Sequence, residues 1–498
     1  MSVARNIARN SAVLMIAQLA SYVLFFFSGV YTARYLGPAG FGILSFAIGF
    51  TALFAFLPDL GLSVLTVRQV ARDKSLAPRY LANVGLIKVI LAAFAFGLIA
   101  LVINIGQAVM DYPEQTITVV YLIGGSIVVA GFNQIAYSMF QAHERMEYRG
   151  LGEVLNAALM LGGVIAVIKY GFGVTGFASL YLFASAATLV YSVIVLRWRF
   201  SRHGLWSNLK AQIDRGFWKP TLRLALPFVL TMLFVSLYYH IDTVMIAGLV
   251  SDSDKAVGWY NAAYRIVMML LSVRMMLGLA IFPVMSQSFI TSKESLKLIC
   301  ERYFKYSVML AVPMGVGIAV LASRFIFVIY GNEYSESAIA LQLLVWSVVL
   351  MYANFVPQLL QAIDRQLTAT KLIMVGAVAN VLLNLALIPA FGYVGAAATT
   401  IACQALTTSL AFWIFFRTEY RFSGTFGATI VGKVLISSAV MGVLVWYLRD
   451  LNLAAIVVIA VAVYGVLVLL MRAFDSTDLH ILNGIVKGRA VLPEIDAF

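Results

Sequence analysis

Fourteen stretches of this chain are long and apolar enough to carry a helix across a lipid bilayer, and they leave little room for anything else. They fall near 11–33, 40–60, 81–103, 117–140, 151–169, 174–196, 222–249, 260–285, 304–323, 338–360, 372–389, 394–416, 431–448 and 452–471. A crossing takes about 20 apolar residues, because the hydrocarbon layer is about 30 Å thick and a helix rises about 1.5 Å per residue. In lipid the backbone must satisfy its own hydrogen bonds, so runs of this length read as helices. The expected class is all-α, a polytopic membrane protein with fourteen transmembrane helices. Composition agrees: 62% of residues are hydrophobic and 11% charged, where soluble proteins carry about 25% charged residues. The lead MSVARNIARN is basic, but the following run is too long for a signal peptide and has no small-residue cleavage site before YTARYLG. An uncleaved first helix is expected.

The 35 Lys and Arg residues sort by side once the first terminus is set inside. Five fall in outer loops (Arg34, Lys169, Lys255, Arg324, Arg449), three within spans (Lys88, Arg265, Arg274), and the remaining 27 face the cytoplasm. That skew predicts both termini in the cytoplasm and a multi-pass protein of the cytoplasmic (inner) membrane. The net charge of +13 is then topology, with some attraction to anionic membrane lipids, and no nucleic acid is needed to explain it. Cys300 and Cys403 sit singly in a basic loop and an apolar run, as free thiols would, and four scattered histidines make no metal site.

The chain repeats itself. QAHERMEYRGLGEVLN at 141–156 parallels QAIDRQLTATKLIMVGAVAN at 361–380, each opening on Gln-Ala and then an acid–Arg pair. GVTGFASL at 173–180 parallels GYVGAAAT at 392–399, and GFGILSF at 40–46 parallels GWYNAAY at 258–264. Spans 1–6 and 7–12 therefore read as two copies of one unit, in the same orientation because six is even. The expected divisions are 1–200 for the first lobe, 201–221 for a basic cytoplasmic loop, 222–417 for the second lobe, and 418–498 for two further spans and a cytoplasmic tail. Two such halves suggest a cavity that opens to either side, hence transport.

Ionisable groups inside the spans are the candidate functional residues, because each costs about 2.5–3.5 kcal/mol to insert unless water or a partner meets it. In span 7, Thr231, Val235, Tyr238 and Asp242 share one helix face. That polar stripe suits a water-filled cleft, whereas His240 is turned away from it and reads as a core or rim residue. In span 8, Arg265 and Arg274 stand nine residues apart, about half a turn around the helix, so one straight face does not present both. Arg274 is near mid-membrane with no acid close in sequence, and Arg265 is nearer the outer end, where it is able to snorkel. The methionines around Arg274 read as helix packing.

Lys88 lies about two turns inside span 3, within reach of the cytoplasmic interface along its stem. Glu153 and Asn156, three apart at the inner end of span 5, form either one patch or a solvated helix end. Arg34 opens an outer turn rich in Gly and Pro. Asp59, between Pro58 and Gly61, marks a bent or broken helix that serves gating or only packing.

No GxxxxGK[ST] phosphate loop, GxSxG elbow or HExxH pair occurs, and no outer loop is long enough to form a catalytic domain. The chain is therefore not expected to be an enzyme or to carry a cofactor. Any energy must come from an ion gradient, the membrane potential or the substrate's own gradient.

ARYLGPAGFGILSF, PDLGLSVLTVRQVAR, DTVMIAGLVSDSDKAVGWYNAAYRI, YGNEYSESAIALQLL and NLALIPAFGYVGAAATT together resemble the polysaccharide-transporter branch of the multidrug/oligosaccharidyl-lipid/polysaccharide exporter superfamily, the Wzx-like flippases. The likeness covers nearly the whole chain. It implies two six-helix lobes forming a V around a central cavity, with spans 13 and 14 appended. It also implies transfer of a polyprenyl-(di)phosphate-linked oligosaccharide to the outer leaflet by alternating access, and a monomer is expected. A diphosphate crossing a low-dielectric cavity would be met by Arg and Lys. Arg274 and Lys88 are the first candidates, then Arg34 and Arg265, with Glu153 and Asn156 also in the set. Asp242 would pair with a cation or couple H+ or Na+, and Tyr238 would touch sugar. A cation-coupled multidrug antiporter of the same superfamily and a membrane glycan polymerase or ligase are the alternatives.

Overall fold

The computed structural model describes residues 3–110, 112–200, 212–475 and 478. Most of the expected basic loop (201–211) and the tail beyond 475, Asp478 apart, lie outside them. Fourteen α-helices form among the described residues: α1 (Val3–Ala52), α2 (Leu62–Arg72), α3 (Ala77–Met110), α4 (Glu114–Ala142), α5 (Met146–Lys169), α6 (Val174–Phe200), α7 (Arg215–Leu249), α8 (Ser253–Thr291), α9 (Lys293–Tyr330), α10 (Ser337–Ala353), α11 (Val356–Ala362), α12 (Gln366–Phe415), α13 (Gly424–Tyr447) and α14 (Leu453–Leu470). The chain is all-α, and among the described residues twelve segments are long and apolar enough to cross a membrane.

Two of these helices are too long for one crossing. Both α1 and α12 run 50 residues, about 75 Å of helix, more than twice the hydrocarbon thickness. Each is broken at a glycine outside helical geometry: Gly37 (φ 65°, ψ 176°), followed by Pro38, and Gly392 (φ 58°, ψ −139°). Only glycine takes such backbone freely. After α1 the chain leaves the helix through turns at 53–61, with Leu60 (φ 43°) and Gly61 (φ 78°) in the left-handed region. The break expected around Asp59 is there. The amphipathic α2 then buries Leu62, Leu65 and Val70 and exposes Val64, Arg68 and Arg72.

The duplicated Gln-Ala motif is a helix stop. After α4, Glu144 (φ 60°) donates its N–H to the Gln141 carbonyl (3.0 Å) and Arg145 donates to Phe140 (2.9 Å). After α11, Asp364 (φ 60°) donates to Gln361 (3.4 Å) and Arg365 to Leu360 (2.7 Å). Both are Schellman caps, normally completed by glycine, and here each carries an acid in the strained position.

Cα packing divides the chain into two compact units. The first comprises Met1–Arg265, Tyr330–Tyr334 and Ile373–Thr399. In it α1 packs along α5 and α4 along α6, and its core gathers Leu62, Tyr80, Tyr137, Phe140, Leu196 and Phe200. The second comprises Ile266–Ile329, Ser335–Leu372 and Thr400–Phe498. Its core is aromatic, with Phe355 and Phe422 flanking Phe415 at ring separations of 5.1 and 5.0 Å.

Candidate functional site

Each ionisable side chain within a span must find its hydrogen bonds in the protein, and the candidates differ in how fully they do. Lys88, on α3, is 1% exposed. Its Nζ donates to Asp59 Oδ1 (2.5 Å), Ser63 Oγ (3.0 Å) and the Gly131 carbonyl (3.1 Å). An ammonium has three donors, and all three are used. The stem does not carry it to the interface as the sequence suggested, because the break after α1 brings a carboxylate to it. Ser63 also donates to Asp59, completing the cluster.

Arg274, on α8 in the second unit, is half-buried. Its Nε donates to the Met351 carbonyl (2.5 Å) and its Nη2 to the Asn354 carbonyl (3.0 Å). Helix α10 ends there, and its last carbonyls have no intrahelical partner. The guanidinium thus caps a C-terminus where the helix dipole favours positive charge. Oriented by its hydrogen bonds, the Gln358 amide accepts from Nη2 as well (3.2 Å).

Arg265 is different. Its Nη1 makes one long hydrogen bond, to the Phe25 carbonyl (3.4 Å). Its guanidinium carbon stands 5.4 Å from the centre of the Phe41 ring, a cation–π contact. Tyr330 and Tyr334 lie within its electrostatic reach. Tyr334 donates to the Ala33 carbonyl (2.8 Å), whereas the Tyr330 hydroxyl is buried without a hydrogen-bond partner. A five-donor group held by one long bond has capacity left for an anion.

Asp242, on α7, is 4% exposed. It accepts from the Tyr260 hydroxyl (2.6 Å) and from Asn384 Nδ2 (2.6 Å), and Asn384 also donates to Asn380 Oδ1 (3.1 Å). Asn384 Oδ1 is buried with no partner. Sequence reading found the carboxylate and missed both asparagines; their i,i+4 spacing in an otherwise apolar run was the available signal. Tyr238 is half-buried, edge-on to Tyr239 at 5.5 Å. His240 is half-buried too.

Glu153 and Asn156 bond to different partners. Glu153 accepts from Arg149 Nε (2.9 Å), and Asn156 donates to Thr188 on α6 (3.1 Å). Arg34 is exposed, three residues before the break at Gly37. Sequence reading also missed an ionic cluster in the second unit. There Arg302 donates to Asp475 (2.6 Å) and Asp478 (2.7 Å), while Lys305 and Tyr306 also bond to Asp478.

Comparison with known proteins adds independent findings. The family model described as "Polysaccharide biosynthesis protein" matches residues 7–289, and a second, MatE, matches 227–390. The chain is 25% identical to the "Probable flippase AglR" of Haloferax volcanii across 82% of this chain and 83% of that one. It is 22% identical to a probable low-salt glycan biosynthesis flippase of the same organism, across 81% and 82% of the two chains. In structure it resembles the lipid II flippase MurJ in an inward closed conformation, with a TM-score of 0.73 at 15% identity, across 93% of this chain and 99% of that one.

Proposed function

The chain belongs to the polysaccharide biosynthesis protein family of the multidrug/oligosaccharidyl-lipid/polysaccharide superfamily, and from that premise we propose that it is a flippase. Its cargo is a polyprenyl-(di)phosphate-linked oligosaccharide, moved from the cytoplasmic to the outer leaflet of the cytoplasmic membrane by alternating access. Both termini are cytoplasmic. Fourteen spans result when α1 and α12 are each divided at Gly37 and Gly392, and the two repeats form lobes at 1–200 and 222–417.

The observation that carries this reading is Arg265, a guanidinium within a span whose donors are largely unsatisfied. A diphosphate offers oxygens that match its planar fork, and the low dielectric strengthens the bond. Lys88 and Arg274 serve mainly to hold their own helices, since each already bonds to groups of the fold. Arg34 meets headgroups at the exposed end of the first span. Tyr238 offers an aromatic face to sugar, and Glu153 and Asn156 line the inner end of the path. Asp242 with Asn380 and Asn384 supports a coupling site, because a carboxylate and amide oxygens suit Na+ or a proton.

Vesicles reconstituted with the protein test this. Arg265→Ala should cut transfer of a lipid-diphosphate-linked glycan at least tenfold with insertion intact. Equal transfer by the Ala variant would sink the assignment. The MatE match supports a second reading, a cation-coupled antiporter. That reading requires binding of a cationic dye that polyprenyl diphosphate does not displace.

A further inference from the structure

The Arg265 guanidinium reaches α1 at a place where no side chain fits. A Cβ built on Gly29 would stand 1.3 Å from Arg265 Nη1, 2.2 Å from its Cζ and 2.7 Å from its Nε. The Phe25 carbonyl that Nη1 reaches is one turn before Gly29 on the same helix, and the Phe41 ring contacts the guanidinium as well. Gly29 lies within the helix, with no positive φ. Glycine inside a helix costs about 1 kcal/mol relative to alanine, so neither a turn nor backbone geometry accounts for it. Space does.

We infer that Gly29 is the positioning residue for the anion-binding guanidinium of Arg265: its missing side chain is the slot that keeps the guanidinium on α1, between the Phe25 carbonyl and the Phe41 ring. This rests on the reading of Arg265 as a diphosphate contact. With alanine at 29 the clash falls on the far end of a flexible side chain, so Arg265 swings away while the helix gains propensity. Stability and binding then move in opposite directions, which a purely structural glycine would not produce.

The test compares wild type, Gly29→Ala, Arg265→Ala and the double variant in detergent, reading Tm and affinity for a short-chain polyprenyl diphosphate. Gly29→Ala should weaken binding about tenfold, as loss of a charge-assisted hydrogen bond does, without lowering Tm. The double variant should bind no worse than Arg265→Ala, and alanine at 29 should raise Tm more once Arg265 is gone. Wild-type affinity in Gly29→Ala, or two independent losses that multiply, would overturn the inference. If Arg265→Ala itself bound normally, the diphosphate reading would fail. The Tm coupling would then judge Gly29 alone, and an equal shift with and without Arg265 would refute its positioning role.

Discussion

Gly42 and Gly258 face each other reciprocally where α1 crosses α8. A Cβ on Gly42 would lie 1.7 Å from the Asp254 carbonyl oxygen, and one on Gly258 would lie 2.0 Å from that of Pro38. Each glycine thus meets the carbonyl four residues before its counterpart. Because the obstacle is backbone, alanine at either position should destabilise the protein by about 1–3 kcal/mol or more. Thermal unfolding in detergent measures this, with Gly162→Ala as a control, since nothing lies within 4 Å of a Cβ there. An unchanged Tm for both crossing variants would contradict the geometry.

The Lys88–Asp59 pair predicts a rescue. Lys88→Met leaves Asp59 without its cation, and breaking a buried pair costs about 3–5 kcal/mol. Adding Asp59→Asn should restore most of the loss, because neither charge is then unmatched. A double variant as unstable as Lys88→Met would show that the ion pair is not the source of the cost.

The strained caps predict a gain. Asp364 occupies left-handed backbone that costs a residue with a side chain about 1 kcal/mol or more. Asp364→Gly should stabilise the protein by about 0.5–1 kcal/mol, the remainder being lost to greater freedom of the unfolded chain. Glu144→Gly should behave alike. If transport fell while Tm rose, the acids at these turns would have a role beyond capping.

Asp475 predicts an acid limit. Desolvation opposes its charge, but the hydrogen bonds from Arg302 and from the Asp478 N–H hold its carboxyl down at about 2. A depressed carboxylate stabilises the fold above its ordinary value, about 3.9, and that contribution fades as pH falls through its folded value. Tm should therefore drop between about pH 4 and pH 2, and Asp475→Asn should flatten that drop while lowering Tm at neutral pH. A profile identical to wild type would remove Asp475 from the account.

Much was legible in the sequence because lipid is a demanding solvent. Hydropathy over about 20 residues reports each crossing locally, so the all-α class could be read from composition and run length. The breaks at Gly37 and Asp59 showed in their Gly and Pro neighbours, and the repeat showed in motifs that prove to be matching helix stops. Cations within spans were visible as anomalies that needed partners.

Which partner each cation found was decided only by tertiary structure. Lys88 meets Asp59 across 29 residues, and Arg274 meets carbonyls 77 and 80 residues away. Arg265 comes to rest 240 residues from its one carbonyl, on a glycine that sequence reading passed over. Helix periodicity fixes where a side chain points on its own helix, but not which helix it meets. That choice belongs to packing, and here it gives Lys88 a full set of partners and leaves Arg265 with a single long hydrogen bond.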